Sequence, residues 1–137
     1  ALLVSNLLAI HQKKYIGKLS AFCGAVSAGY ACGAAITYML GGNFNQIANT
    51  IINTLANTSG IICDGAKPSC AAKISSALDA ALLAHTMSMH DDVFHADEGI
   101  VKDDLEKTIR AVGYIGREGM KSTDIEVLNI MIDKVCP

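Results

Sequence analysis

The amino-acid sequence predicts an all-α fold: a compact multi-helix domain built around a central, buried helix rich in Gly and Ala. Apolar residues make up 51% of the 137 residues, but aromatic residues make up only 5%, so the core must form by close approach of helix backbones. Apolar positions recur at helical spacing along most of the chain, and no run alternates with the period of a strand. The length fits one domain, residues 1–137.

Three helices are predicted in the first half of the chain. Residues 2–16 carry apolar side chains at the spacing of an amphipathic helix. Residues 21–40 contain no charged side chain, and a run of this length could span a bilayer. Half of that run is Gly, Ala or Ser and no second span follows, which favours a buried helix of a bundle over a membrane segment. The pair Gly41 and Gly42 ends it, and residues 43–58 form the third helix.

The third predicted helix repeats Asn at every fourth position, with Thr alongside. Asn and Thr are mediocre helix formers, so helix propensity does not explain this stripe. The favoured interpretation is a solvated face or hydrogen bonds between helices. The alternative is a polar wall that faces a small substrate, which makes Asn57 a candidate substrate-binding residue.

The second half of the chain predicts three more helices. A long helix covers residues 68–89, and a polar loop follows at 90–100. A helix over 103–116 begins with acidic residues, as the helix dipole prefers, and the Gly-Arg-Glu-Gly run at 116–119 breaks it. A capping box at 123–126 opens the last helix, which runs to about Lys134. The predicted inner face of the long helix consists of Ala71, Ile74, Leu78, Ala81, Leu82 and His85.

Charge and cysteine content exclude several functions. The net charge is −2, which argues against a nucleic-acid partner because such proteins usually carry a basic stripe. Five cysteines without a recognisable signal peptide favour a reduced, cytoplasmic setting, where cysteine clusters bind metals or catalyse reactions more often than they form disulfides. The chain starts without Met, inside a helical pattern, so we expect it to be the C-terminal part of a longer protein.

The sequence Cys-Asp-Gly-Ala-Lys-Pro-Ser-Cys at 63–70 is the strongest candidate site. Pro68 suits the first position of a helix because its φ is already helical. Cys70 then lies in the first helical turn, where the positive end of the helix dipole favours a thiolate. Another cysteine, Cys23, lies forty residues upstream in a run rich in Gly and Ala.

The spacing of these cysteines does not by itself select one chemistry. Cys-x6-Cys differs from the spacing of zinc fingers. Three thiolates without an obvious fourth suit an iron–sulfur cluster with one open iron. Buried inert thiols, a zinc site, a redox pair and a disulfide remain alternatives.

Three segments carry a resemblance to a known family: Ala-Phe-Cys-Gly-Ala at 21–25, Asn-Thr-Ser-Gly-Ile-Ile-Cys-Asp-Gly-Ala-Lys-Pro-Ser-Cys-Ala at 57–71 and Gly-Arg-Glu-Gly-Met at 116–120. The chain resembles the C-terminal part of the L-cysteine desulfidase family, which is related to the α-chain domain of bacterial iron–sulfur L-serine dehydratases. The similarity covers residues 1–132.

The resemblance implies a [4Fe–4S] cluster held by Cys23, Cys63 and Cys70, and no pyridoxal phosphate. The fourth iron would take the substrate in an α,β-elimination that converts L-cysteine to pyruvate, ammonia and sulfide, or L-serine to pyruvate and ammonia. The resemblance also implies that the catalytic base lies in the N-terminal part of such an enzyme, so we expect the chain alone to be inactive.

Other residues near these motifs are weaker candidates. Lys67 and Arg117 could neutralise a cluster or bind a substrate carboxylate, and surface roles are equally compatible with the sequence. Cys136 could supply a fourth thiolate, because related serine dehydratases place a C-terminal tail in their site. Cys32 is interpreted as a small core residue. The alternative to an enzyme part is a non-enzymatic iron–sulfur or zinc module, and whether two copies form a homodimer is left open.

Overall fold

A computed structural model describes residues 1–134 and confirms the all-α prediction. In this part of the chain the only pairing of extended backbone is an isolated antiparallel bridge between Phe22 and Ile62. A π-helical turn at Ile115–Gly119 joins the last two helices. The helices are α1 (Leu2–Ile16), α2 (Gly24–Met39), α3 (Phe44–Thr58), α4 (Ser69–Met89), α5 (Leu105–Tyr114) and α6 (Lys121–Met131).

The helix α2 lies at the centre of the fold and packs against α1, α3 and α4. Nine of its sixteen residues are buried, so the prediction of a central, buried Gly/Ala-rich helix is confirmed. No helix in the described residues has both the length and the apolar character needed to cross a membrane. The large side chain of Tyr30 is fully buried and donates a hydrogen bond to the carbonyl oxygen of Leu8 in α1.

The packing of α2 against α4 is close and parallel. A Cβ atom added to Gly29 would lie 2.9 Å from the Cβ of Ala77, and one added to Gly33 would lie 3.0 Å from the Cβ of Ala81. Because both contacts advance by four residues in the same direction, the two helices run parallel. Their N-terminal ends therefore lie at the same end of the fold.

Three polar arrangements fix the helices around this pair. Asn43 and Gln46 form a capping box at the start of α3, and the Asp104 side chain accepts a hydrogen bond from the backbone N–H of Lys107 at the start of α5. Glu106 in α5 joins this helix to α1, where its carboxylate binds the His11 ring 2.8 Å away and the Tyr15 hydroxyl 2.5 Å away.

The predicted inner face of α4 is largely wrong. Ile74, Leu78 and Leu82 are 58%, 37% and 42% exposed, and Ala71 is exposed as well. The close approach of α2 leaves room for little more than a methyl group, so small side chains take the inside and the aliphatic ones stay outside. The buried positions of α4 are Ala77, Ala80, Ala81, Ala84 and Ser88, while His85 is half-buried and hydrogen-bonds Thr37.

Three predicted boundaries also differ. The helix expected over 21–40 begins only at Gly24, because the preceding residues pair with the segment around Ile62. The run at 116–119 does not break the helix but continues it as a π-helical turn, since Gly116 fits against the Phe22 ring. The last helix begins at Lys121 without a side-chain cap, so Thr123 lies inside it.

Candidate metal centre

Cys23 and Cys70 occupy the N-terminal ends of the two parallel helices. Cys23 is the N-cap residue of α2, is 5% exposed, and makes no side-chain capping bond. Cys70 is the second residue of α4 and therefore lies in its first turn, as the sequence predicts. Both thiols thus lie where unpaired backbone N–H groups and the helix dipole favour negative charge.

Cys63 is tied to the segment that carries Cys23. The backbone N–H of Cys63 donates to the carbonyl oxygen of Ala21 at 2.6 Å, and the N–H of Cys23 donates to the carbonyl oxygen of Ile61 at 3.1 Å. These two bonds flank the antiparallel bridge between Phe22 and Ile62. The fold therefore brings three of the four free cysteines of the described residues, 23, 63 and 70, to one end, which we call the cysteine end.

The loop between Cys63 and Cys70 has a defined turn geometry. Gly65 adopts a φ of +83°, a conformation that glycine favours. Its carbonyl oxygen accepts a hydrogen bond from the Cys70 thiol at 3.2 Å. Pro68 precedes the first residue of α4 instead of being that residue, but its φ of −54° is helical as expected. The turn therefore folds back onto the helix that carries Cys70.

Lys73 is a residue at the cysteine end that the sequence reasoning missed. Its ammonium donates to the carbonyl oxygen of Ile62 at 2.9 Å and to the carboxylate of Asp64, and its side chain is 23% exposed. The bond to Asp64 raises the pKa of Lys73, and the nearby thiols of Cys23 and Cys70 raise it further. The same bond lowers the pKa of Asp64. Its position one turn after Cys70 on α4 is the signal that could have identified it.

The two predicted cationic residues differ in their surroundings. Lys67 is exposed in the cysteine loop. Arg117 is 63% exposed in the π-helical turn, where its Nε lies 3.4 Å from a carboxylate oxygen of Glu118. This turn contacts the cysteine end through Ser20, whose hydroxyl donates to the carbonyl oxygen of Gly116 at 2.5 Å. Arg117 is therefore near the cysteine end but already paired with an acid.

Asn57 is exposed near the end of α3 and lines two neighbouring cavities. One of about 410 Å³ lies between α3 and α4, where Ile61 and Asp79 are also lining residues. The other cavity, of about 580 Å³, is bounded by Phe94 and Glu98 from the loop that follows α4. The Cys23 N–H binds the carbonyl of Ile61, so the first cavity borders the cysteine end.

Four other residues of the Asn and Thr stripe make hydrogen bonds within the fold. Asn53 is 1% exposed, and its amide binds the carbonyl oxygen of Asp92 and the backbone N–H of Phe94. The hydroxyls of Thr50, Thr54 and Thr58 each bond the carbonyl oxygen one turn earlier. Within this stripe, Asn53 and Thr50 thus bond residues of other elements, while Asn57 and Thr58 line the cavity next to the cysteine end.

A third cavity adjoins Cys63 directly. It measures about 260 Å³ and lies between the cysteine loop and α6, lined by Leu19, Ser20, Gly65, Asp124 and Met131 among others. Most of its surface is apolar, with Asp124 as its acidic group. The space beside the cysteines is therefore bounded by α6 on one side.

Of the remaining two cysteines, only Cys32 belongs to the described residues, and it lies away from the cysteine end. Cys32 is half-buried on α2, nine residues after Cys23, which corresponds to about 13 Å along the helix. Cys136 lies outside the described residues.

The cysteine thiols differ in how well they suit a single metal ion and a metal cluster. Among residues 1–134, no three His, Cys, Asp or Glu side chains are placed to hold one metal ion. A zinc site requires four ligands around a single ion. In an iron–sulfur cluster each thiolate binds a different iron, so the sulfur atoms need not converge on one point. Three free thiols at two helix N-termini and an adjoining loop are ligands of the type that such a cluster uses.

Comparisons with known proteins extend over nearly the whole chain. A family model described as serine dehydratase alpha chain matches residues 1–129. A UPF0597 protein of Treponema denticola is 60% identical over 131 residues, covering 96% of this chain and 30% of that protein. A UPF0597 protein of Lachnoclostridium phytofermentans is 57% identical over 133 residues, covering 97% of this chain and 32% of that protein. The chain thus spans about a third of the length of these curated relatives, and no solved structure matches it.

Proposed function

Because the chain belongs to the serine dehydratase alpha chain family, we propose that it is the cluster-binding part of an iron–sulfur-dependent amino-acid lyase. The substrate would be L-cysteine, as in the L-cysteine desulfidases, or L-serine. The products would be pyruvate and ammonia, with sulfide in addition when cysteine is the substrate. The base that removes the α-proton is proposed to lie outside this chain.

The main observation in support of this proposal is the parallel packing of α2 and α4, which puts Cys23 and Cys70 at adjoining helix N-termini. In the proposal these two cysteines and Cys63 hold a [4Fe–4S] cluster. The positive ends of two helices stabilise the thiolates that ligation requires. The antiparallel bridge supports the proposal because it fixes the segment of Cys63 beside that of Cys23.

A cluster with one iron not bound by cysteine supplies a Lewis acid for the carboxylate or leaving group of a substrate. The chain's own residues then bind and orient that substrate. We propose that Lys67 or Arg117 binds the substrate carboxylate through a charge-assisted hydrogen bond. Asn57 offers an amide at the cavity between α3 and α4, where it could hydrogen-bond a polar group of a small amino acid.

The proposed partner is the remainder of a longer enzyme. The relatives are about three times as long as this chain. Large apolar side chains are exposed on α1, where Leu3 and Leu7 are 79% and 65% exposed, and on α4, where Ile74 is 58% exposed. Exposed apolar faces of this kind are typical of surfaces that another part of a protein covers.

Anaerobic reconstitution with iron and sulfide tests the cluster directly. We expect the wild-type chain to bind iron and sulfide, to absorb in the thiolate-to-iron region, and to give an EPR signal after reduction. Cys63→Ser should lose this signal. Cys32→Ser is the matched control, because Cys32 lies far along α2, and it should keep the signal.

Two results would contradict the proposal. One is a folded wild-type chain that binds no iron, and the other is a Cys63→Ser chain that binds as much as wild type. Tight, stoichiometric zinc binding by the same three cysteines would favour the alternative, a non-enzymatic zinc module. A turnover assay with L-cysteine and L-serine then separates the substrates. We expect no pyruvate from the chain alone and pyruvate when the rest of the enzyme is present.

A further inference from the structure

We propose that Lys73 is the positioning residue of the cysteine end: it fixes the loop that carries Cys63 to α4 and places a positive charge beside that loop. The first part of this inference rests on hydrogen bonds alone. The second part rests on the proposed cluster.

The hydrogen bonds of Lys73 enclose Cys63. Its ammonium binds the carbonyl oxygen of Ile62, one residue before the cysteine, and the carboxylate of Asp64, one residue after it. Lys73 itself belongs to the second turn of α4. A single side chain thus attaches both neighbours of Cys63 to the helix that carries Cys70.

The position of the charge follows from the same contacts. The ammonium is held at the carbonyl oxygen of Ile62, next to Cys63, and Lys73 lies one turn after Cys70 on α4. Its side chain is 23% exposed, whereas that of Asp64 is 41% exposed. Partial burial strengthens the interaction of this cation with thiolates relative to a fully solvated lysine. Lys73 would therefore offset part of the negative charge that three thiolates bring to a cluster.

Lys67 provides a matched comparison. It is a lysine in the same loop, but it is exposed, and its side chain makes no hydrogen bond to another described residue. Its charge is near Asp64 without a bond to the backbone beside Cys63. If a positive charge near the loop were enough to fix it, replacing either lysine would have the same effect on the loop.

The test uses the full chain as wild type, Lys73→Met, Lys73→Arg and Lys67→Met, without metal at first. Hydrogen exchange is followed at the backbone N–H of Cys63, which donates to the carbonyl oxygen of Ala21. The buried amide of Tyr30 in α2 serves as the internal reference for global folding. In Lys73→Met we expect about tenfold faster exchange at Cys63, because two bonds to a charged group are lost. Tyr30 should be unchanged, and Lys67→Met should exchange like wild type.

The second readout follows anaerobic iron and sulfide loading. A nearby cation stabilises the more negative, reduced form of a cluster. Lys73→Met should therefore load less iron and show a more negative midpoint potential, and Lys73→Arg should restore the potential toward wild type. Lys67→Met should shift it less.

The outcomes separate the two parts of the inference and the proposed function. Unchanged exchange at Cys63 in Lys73→Met overturns the role in fixing the loop. Equal potentials in Lys73→Met and Lys67→Met overturn the role of the charge. A wild-type chain that loads no iron contradicts the proposed function, while the exchange measurement still decides whether Lys73 fixes the loop.

Discussion

Replacing Gly29 with Ala should weaken the fold at the contact between α2 and α4. The added Cβ would lie 2.9 Å from the Cβ of Ala77 and 2.8 Å from its carbonyl oxygen, whereas ordinary contacts begin at 3.4 Å. The oxygen belongs to the backbone, so the helices must move apart by about half an ångström. Overpacking of this kind costs about 1–3 kcal/mol.

Gly24→Ala is the matched control on the same helix. Nothing lies within 4 Å of a Cβ at Gly24, which is exposed at the start of α2. There Ala should stabilise the chain by about 0.4–1 kcal/mol by restricting the unfolded state. Since the same gain applies at Gly29, the difference between the two variants isolates the overpacking cost, about 1–3 kcal/mol.

Urea unfolding, followed by circular dichroism at the helix band, measures this difference. Gly29→Ala should unfold at a lower urea midpoint than wild type or Gly24→Ala, with an unchanged slope. If both variants have equal midpoints, the close contact with Ala77 does not limit the packing and the argument for a fixed parallel register fails.

Three further predictions concern contacts outside the cysteine end. Hydrogen bonds, the strongest of them from Tyr15, lower the pKa of Glu106 to about 2. The ionised carboxylate therefore stabilises the fold fully at pH values above 4.5, the pKa in the unfolded chain. This contribution is lost as the pH falls from 4.5 toward 2. Glu106→Gln should cost about 1 kcal/mol at pH 7 and flatten the acid limb of the stability curve; an equally steep limb would contradict this. Asn53→Ala should cost about 2–3 kcal/mol by leaving its loop partners unpaired and speed hydrogen exchange at Phe94, and an unchanged rate there would refute the anchoring role. Asp104→Ala should cost about 1 kcal/mol through loss of the N-cap, measured by urea unfolding against the exposed Asp79→Ala as control.

The bounds of most helices could be predicted from the sequence, because the hydrophobic periodicity and the residues that begin or end a helix are local features of the chain. Residues 2–16 and 43–58 carry such signals, and α1 and α3 follow them closely. The inner face of α4 could not be predicted in this way. Hydrophobicity alone assigns the largest side chains to the inside, but the space available to α4 is set by Gly29 and Gly33 on another helix.

At the candidate site, too, the local features could be predicted from the sequence and the long-range contacts could not. The cysteine motif and its helix start are local, so the location of Cys70 in the first turn of α4 follows from the sequence. The pairing of Cys63 with the segment of Cys23 depends on an isolated bridge, which has no periodic pattern. Lys73 was missed for a similar reason, because its partners Ile62 and Asp64 are nine or more residues away.

The antiparallel bridge between Phe22 and Ile62 affects how the cysteines oxidise when the protein is exposed to air. Among the described residues only two backbone bonds flank it, so it should open at a lower free energy than the helical core. Opening separates the segments of Cys23 and Cys63 and admits oxidants to a thiol that is otherwise buried. Oxidative damage should then proceed from this local opening, and its rate should not fall when substitutions elsewhere raise the melting temperature.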